Sequence, residues 1–136
     1  MIFKGFKFFV IGLIIAGLLG IHSCRSGAGE DTRFSLMDEK HTGIRFSNEV
    51  EYSEEYNTYT YRNFYNGAGV GLGDFNRDGL VDIYFCGNIV DNKLYINQGD
   101  FHFEDITDQA GVACEGVWST GVSIADVNGD GWPDIY

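Results

Sequence analysis

The chain has 136 residues, 44% of them hydrophobic and 15% aromatic, which is enough apolar material for a folded core and argues against a disordered segment. Its formal charge of −11 repels phosphate backbones, so nucleic acid is not an expected partner and divalent cations are. Nineteen glycines against one proline suit short strands and tight turns better than long helices.

In chain order, the first element is a basic start with Lys4 and Lys7, then an unbroken apolar run from Phe8 to Ile21, then His22, Ser23 and Cys24. This is the layout of a signal peptide, and the run of 14 residues is shorter than the roughly 20 that span a bilayer as a helix. The succession Ile21, His22, Ser23, Cys24 resembles the lipobox of bacterial lipoproteins. That resemblance implies cleavage after residue 23, lipidation of Cys24 and export to a membrane-anchored position at the outer membrane or cell surface. An ordinary secretory signal that happens to carry a cysteine is the alternative. Residues 24–42 then read as a tether and N-terminal segment, opening with the small, polar run from Arg25 to Asp31. Loss of Lys4 and Lys7 with the leader leaves a formal charge of −13.

Tyr52, Tyr56, Tyr59, Tyr61, Phe64 and Tyr65 follow as a dense aromatic stretch. Such side chains serve either core packing or the stacking of sugar rings, and Trp118 carries the same two readings. Cys86 sits in an apolar run, where a buried free thiol is usual, although an exported chain could also pair it with Cys114.

From residue 69 onward the sequence repeats. GVGLGDFNRDGLVDIY at 69–84 aligns with GVSIADVNGDGWPDIY at 121–136, identical at nine of sixteen positions with an offset of 52 residues. Strands are predicted over Val70 to Gly73, Ile83 to Gly87, Leu94 to Asn97 and Phe101 to Ile106, the last two joined by a turn at Gln98, Gly99 and Asp100. Four strands per period of this length are expected of a propeller blade. The predicted fold class is therefore all-β: four-stranded antiparallel blades, the first over about 63–112 and the second incomplete from about 113, in a fragment of a larger propeller.

Each repeat contains D-x-N-x-D-G-x-x-D. Asp74, Asn76, Asp78 and Asp82 place side-chain oxygens at loop positions 1, 3, 5 and 9, Gly79 allows the sharp turn at 6, and Leu80 offers its carbonyl at 7. Asp126, Asn128, Asp130, Trp132 and Asp134 repeat the pattern. It matches the first half of an EF-hand loop without the closing glutamate, so the expected ligand is Ca²⁺, with Asp82 and Asp134 closing the cages. A metal-free Asx-turn is the simpler alternative.

These loops resemble the FG-GAP or VCBS type of propeller repeat, a likeness that covers about residues 43–136 and implies calcium at one rim of the propeller. More narrowly, FYNGAGV at 64–70, LYIN at 94–97, FEDIT at 103–107 and WSTGV at 118–122 resemble the bacterial proteins that carry ASPIC/UnbV domains and their relative, cartilage acidic protein. No ASPIC/UnbV domain itself lies in the chain.

The glycine run Gly67, Gly69, Gly71, Gly73 completes no dinucleotide-binding fingerprint, and reads instead as a thin strand that neighbouring backbone can approach closely. His41 and His102 lie in no nucleophilic or metal motif. The expected function is that of a lipid-anchored surface module, not an enzyme, that binds calcium and an extracellular protein or glycan ligand. The non-catalytic part of a larger polysaccharide-processing enzyme, or a structural scaffold, is the alternative.

Overall fold

The computed structural model describes residues 33–136. The chain divides into Met1–Leu36 and Met37–Tyr136, and every regular element among the described residues lies in the second unit. The expected leader and Cys24 lie outside the described residues. No described helix is long and apolar enough to cross a membrane.

Six strands and two single-turn helices make up this unit. They are α1 (Glu39–Thr42), β1 (Val70–Gly73), β2 (Asp82–Phe85), β3 (Lys93–Asn97), β4 (Phe103–Asp105), α2 (Thr107–Ala110), β5 (Ile124–Ala125) and β6 (Asp134–Ile135). The strands β1-β2-β3-β4 pair in sequence order as one antiparallel sheet, and β5 pairs with β6 in a second. Register is set by pairs such as Leu72 with Ile83, Tyr84 with Leu94 and Ile96 with Glu104.

The four strands of the first sheet fall where the alternating pattern puts them, with the ends of β2, β3 and β4 shifted by one or two residues. β4 begins at Phe103 and not at Phe101, because Asp100 and Phe101 both take left-handed backbone (φ 50° and 56°) and cannot stay in a ladder. The Gln98 N–H donates to the His102 carbonyl at 2.7 Å, which makes the connection a five-residue loop over 98–102. β2 ends at Phe85, where the backbone turns so that the Gly87 N–H donates to the Asn92 side chain.

One core lies on the face formed by Tyr84, Cys86, Leu94 and Ile96, with Phe75, Ile106, Val112, Val122 and Ile135 packed around it. Val122 and Ile135 come from the second repeat, so the two repeats share this core. The glycines of β1 allow the approach: a Cβ at Gly69 would lie 2.8 Å from the Gly121 Cα, and one at Gly71 would lie 2.9 Å from Ile124 Cδ1. The opposite face is covered by the segment before β1. Phe46 stacks on Phe85 at 5.0 Å, Phe85 meets the edge of Tyr95 at 5.8 Å, and the Arg45 N–H donates to the Tyr95 hydroxyl. Cover on both faces explains why Leu94, Tyr95 and Ile96 are buried in succession instead of alternating.

Both cysteines of this unit are free. Cys86 is buried with its thiol directed to the Gly121 carbonyl, and Cys114 is exposed, so no disulfide joins them.

Candidate functional site

Residues 74–81 connect β1 to β2 and residues 126–133 connect β5 to β6, with Asp82 and Asp134 opening the second strand of each pair. The two fold alike, because the same Asx-type hydrogen bonds recur at the same positions. In the first loop Asp74 accepts from the Asp78 and Gly79 N–H groups at 3.0 and 2.9 Å, Asn76 from Asp78 at 3.1 Å, and Asp78 from Leu80 at 2.8 Å. In the second, Asp126 accepts from Asp130 and Gly131 at 3.2 and 2.8 Å, Asn128 from Asp130 at 2.8 Å, and Asp130 from Trp132 at 2.8 Å. Asn76 and Asn128 each donate their amide to the following aspartate, at 2.8 and 3.0 Å. Backbone geometry repeats too: Arg77 and Gly129 are left-handed at φ 61° and 78°, Gly79 and Gly131 at φ 86° and 85°.

The ninth residues differ in depth. Asp82 is fully buried and spends both oxygens on backbone, accepting from Phe75 N–H at 2.7 Å and Asn97 N–H at 2.8 Å. Asp134 is only partly buried and accepts from Val127 N–H at 2.9 Å. Asp82 therefore ties the loop to β3 as well as ending it, a structural duty that the spacing alone does not reveal.

Among the described residues, no set of three or more His, Cys, Asp or Glu side chains converges as a metal-binding group. The loop side chains are instead turned to their own N–H groups. The donor set remains all-oxygen, the chemistry that suits Ca²⁺, and an oxygen that accepts one N–H keeps a second lone pair. Asp130 is held below the usual carboxylate range by the Trp132 N–H, then by Asn128 and the nearby charge of Arg77.

A second feature, which the aromatic stretch foreshadowed only in composition, lies in the same unit. Trp118 stands in a cluster with Tyr56 (5.9 Å, 20° between planes), Tyr61 (5.1 Å, edge-on at 72°) and the fully buried Phe64 (5.8 Å). Trp118, Tyr56 and Tyr61 line a cleft of about 470 Å³ together with Glu55, Thr60 and Thr120. Of the aromatic residues with two readings, Phe64 packs inside, whereas Tyr52, Tyr59 and Tyr65 are exposed.

Comparison with protein-family models finds an FG-GAP-like repeat at residues 74–136. That span runs from the first aspartate of the first loop to the end of the second repeat, and the mostly β structure with its four-stranded antiparallel sheet is consistent with it. No match was found among curated proteins or among solved structures.

Proposed function

We propose that this chain is the calcium-binding, propeller-type repeat region of an exported, lipid-anchored surface protein whose role is to bind a protein or glycan ligand. The observation that carries the reading is the recurrence of one loop geometry, down to individual hydrogen bonds, in both copies of the 52-residue repeat, within the span that matches an FG-GAP-like repeat. A fold that needed only a turn could use different residues in each copy. Two loops that each retain three aspartates and one asparagine keep like charges together, which is unfavourable unless a cation offsets them.

In this reading Asp74, Asn76, Asp78 and the Leu80 carbonyl hold one ion, and Asp126, Asn128, Asp130 and the Trp132 carbonyl hold the other. Asp82 and Asp134 close the loops, Asp82 while keeping its bonds to Phe75 and Asn97. Bound calcium supplies the charge that lets the carboxylates converge. The narrower likeness to the ASPIC/UnbV-type bacterial proteins belongs to the same reading and rests on the four short segments that carry it. Anchoring rests on Cys24.

Calorimetry on the full-length chain tests the calcium part. Two ions should bind the parent, one should bind Asp78→Ala, and two should bind Glu104→Gln, an exposed control on β4. Equal stoichiometry for Asp78→Ala and the parent would show that the loops are turns without metal. Mass spectrometry of the membrane fraction tests the anchor: the mature N-terminus should be a lipidated Cys24, and Cys24→Ser should release the protein.

A further inference from the structure

We infer that the cleft between the 53–61 loop and the 116–120 segment is a binding site for a neutral saccharide, with Tyr56 and Trp118 as its stacking wall and Glu55 as its hydroxyl acceptor. The inference rests on the reading of the chain as a ligand-binding module and is independent of the calcium loops.

The first reason is that both walls are built to hold shape. Asn57, 5% exposed, organises the 53–61 loop: its Nδ2 donates to the Ser53 and Glu54 carbonyls at 2.9 and 3.0 Å, and its Oδ1 accepts from the Tyr59 and Thr60 N–H groups at 2.8 and 3.1 Å. Thr60 returns the contact by accepting from the Asn57 N–H at 3.1 Å. On the other wall, Asn88 is 2% exposed and donates to the Ser119 carbonyl at 3.0 Å and the Gly67 carbonyl at 3.2 Å, while the Ser119 N–H donates to Gly87. Two buried amides thus fix the segments on either side of Trp118. Buried polar hubs are costly unless fully satisfied, and these are spent on surface loops and not on the sheet.

The second reason is the chemistry of the lining. Its volume of about 470 Å³ is in the range of small-ligand sites, roughly 300–1,000 Å³. Tyr56 remains 42% exposed although it stacks on Trp118, so aromatic surface is left open to a ligand. Rigid aromatic faces suit the apolar C–H faces of a pyranose ring, and the Glu55 carboxylate with the Thr120 hydroxyl suits its hydroxyl rim, the Thr60 hydroxyl being spent on the Asn57 backbone.

The third reason is charge. Glu55 is the one charged side chain in the lining, and the strand of sequence leading to it also carries Glu49, Glu51 and Glu54. Acidic or sulfated glycans are repelled there. A quaternary ammonium ligand fits less well, because Tyr56 and Trp118 are nearly parallel at 5.9 Å and leave no space between their faces for a cation.

The test is fluorescence titration of the protein carrying Trp132→Phe, which leaves Trp118 as the sole indole of the 136 residues. Maltohexaose, cellohexaose, xylohexaose and mannohexaose are the neutral probes, polygalacturonate the acidic one and a tryptic casein digest the peptide one. At least one neutral hexasaccharide should shift the emission saturably, and Tyr56→Ser and Glu55→Gln should each weaken that binding tenfold or more without changing the circular dichroism. The inference is overturned if no neutral probe binds, if only polygalacturonate or the peptide digest does, or if Tyr56→Ser binds like the parent. Calcium stoichiometry measured on Tyr56→Ser and Glu55→Gln with Trp132 left in place keeps the two readings apart, since loss of the cleft leaves two ions bound and loss of the calcium reading leaves the sugar shift intact.

Discussion

The guanidinium carbon of Arg77 lies 4.2 Å from the centroid of the Trp132 ring, which sets the fourth residue of the first loop over the seventh of the second. Arg77 reaches this position from left-handed backbone at φ 61°, a conformation its counterpart Gly129 adopts without strain. The contact between repeats and the local strain therefore oppose each other. Arg77→Ala keeps the strain and loses a cation–π contact worth about 0.5–1 kcal/mol, so it should lower stability by about that much. Arg77→Gly loses the same contact but relieves the backbone, and its denaturation midpoint should stay closer to the parent than that of Arg77→Ala.

A sharper difference is expected between two glycines on the path from β2 to the second repeat. A Cβ at Gly87 would collide with the Val90 carbonyl, in a turn closed by the Gly87 N–H to Asn92 Oδ1 bond of 2.7 Å. At Gly121 nothing lies within 4 Å of the equivalent position, and its φ is not positive. Gly87→Ala should thus cost several kcal/mol, the range of overpacked core sites, or prevent folding, whereas Gly121→Ala should melt within about 0.5 kcal/mol of the parent.

How far the sequence reaches is visible at the same places. Strand-like runs over 70–106 located four strands, with Tyr84 of β2 and Leu94 and Ile96 of β3 in the core, and the 52-residue offset aligned two loops that fold alike. What alternation missed depends on distant partners. The start of β4 is moved by left-handed backbone at Asp100 and Phe101, which pattern cannot sense. The burial of Tyr95 depends on Phe46 and Arg45, some fifty residues earlier. The cleft was legible only as aromatic composition, because the Asn57 and Asn88 hubs that shape it involve residues with no periodic signature. A local cue did exist in Ser53, Asn57 and Thr60, whose spacing suits side-chain-capped turns.

Tyr84 provides a pH signature. Burial pushes its phenol up to about 12, with the Asn92 amide, which donates to its oxygen at 2.9 Å, pulling the other way. A folded value above the unfolded one of about 10 means that the neutral phenol is favoured in the fold, so this stability is complete below pH 10 and is lost as pH rises through 10 to 12. Denaturation midpoints measured across that window should fall for the parent and fall less steeply for Tyr84→Phe. That variant should start from lower stability at pH 7, since it leaves the Val112 carbonyl without its donor at 2.8 Å.

The two closing aspartates should separate folding from metal binding. Asp82 is fully buried and accepts two backbone N–H groups, from Phe75 in its own loop and Asn97 on β3, whereas Asp134 accepts one and is partly exposed. Removing the Asp82 carboxylate leaves two N–H donors without partners, each worth about 1–3 kcal/mol when buried. Asp82→Ala should accordingly destabilise the chain even in excess chelator, with a loss at the upper end of single-substitution effects, and Asp134→Ala should cost about 1 kcal/mol under the same conditions. Asp78 is exposed and accepts only from Leu80 N–H and Asn76 Nδ2, so Asp78→Ala should be mild in chelator and, on the proposed calcium reading, should lose part of the rise in melting temperature expected of the parent on adding calcium. Thermal denaturation with and without calcium reads all three. Equal losses for Asp82→Ala and Asp134→Ala in chelator would mean that the bond from Asn97 to Asp82 contributes nothing to the fold.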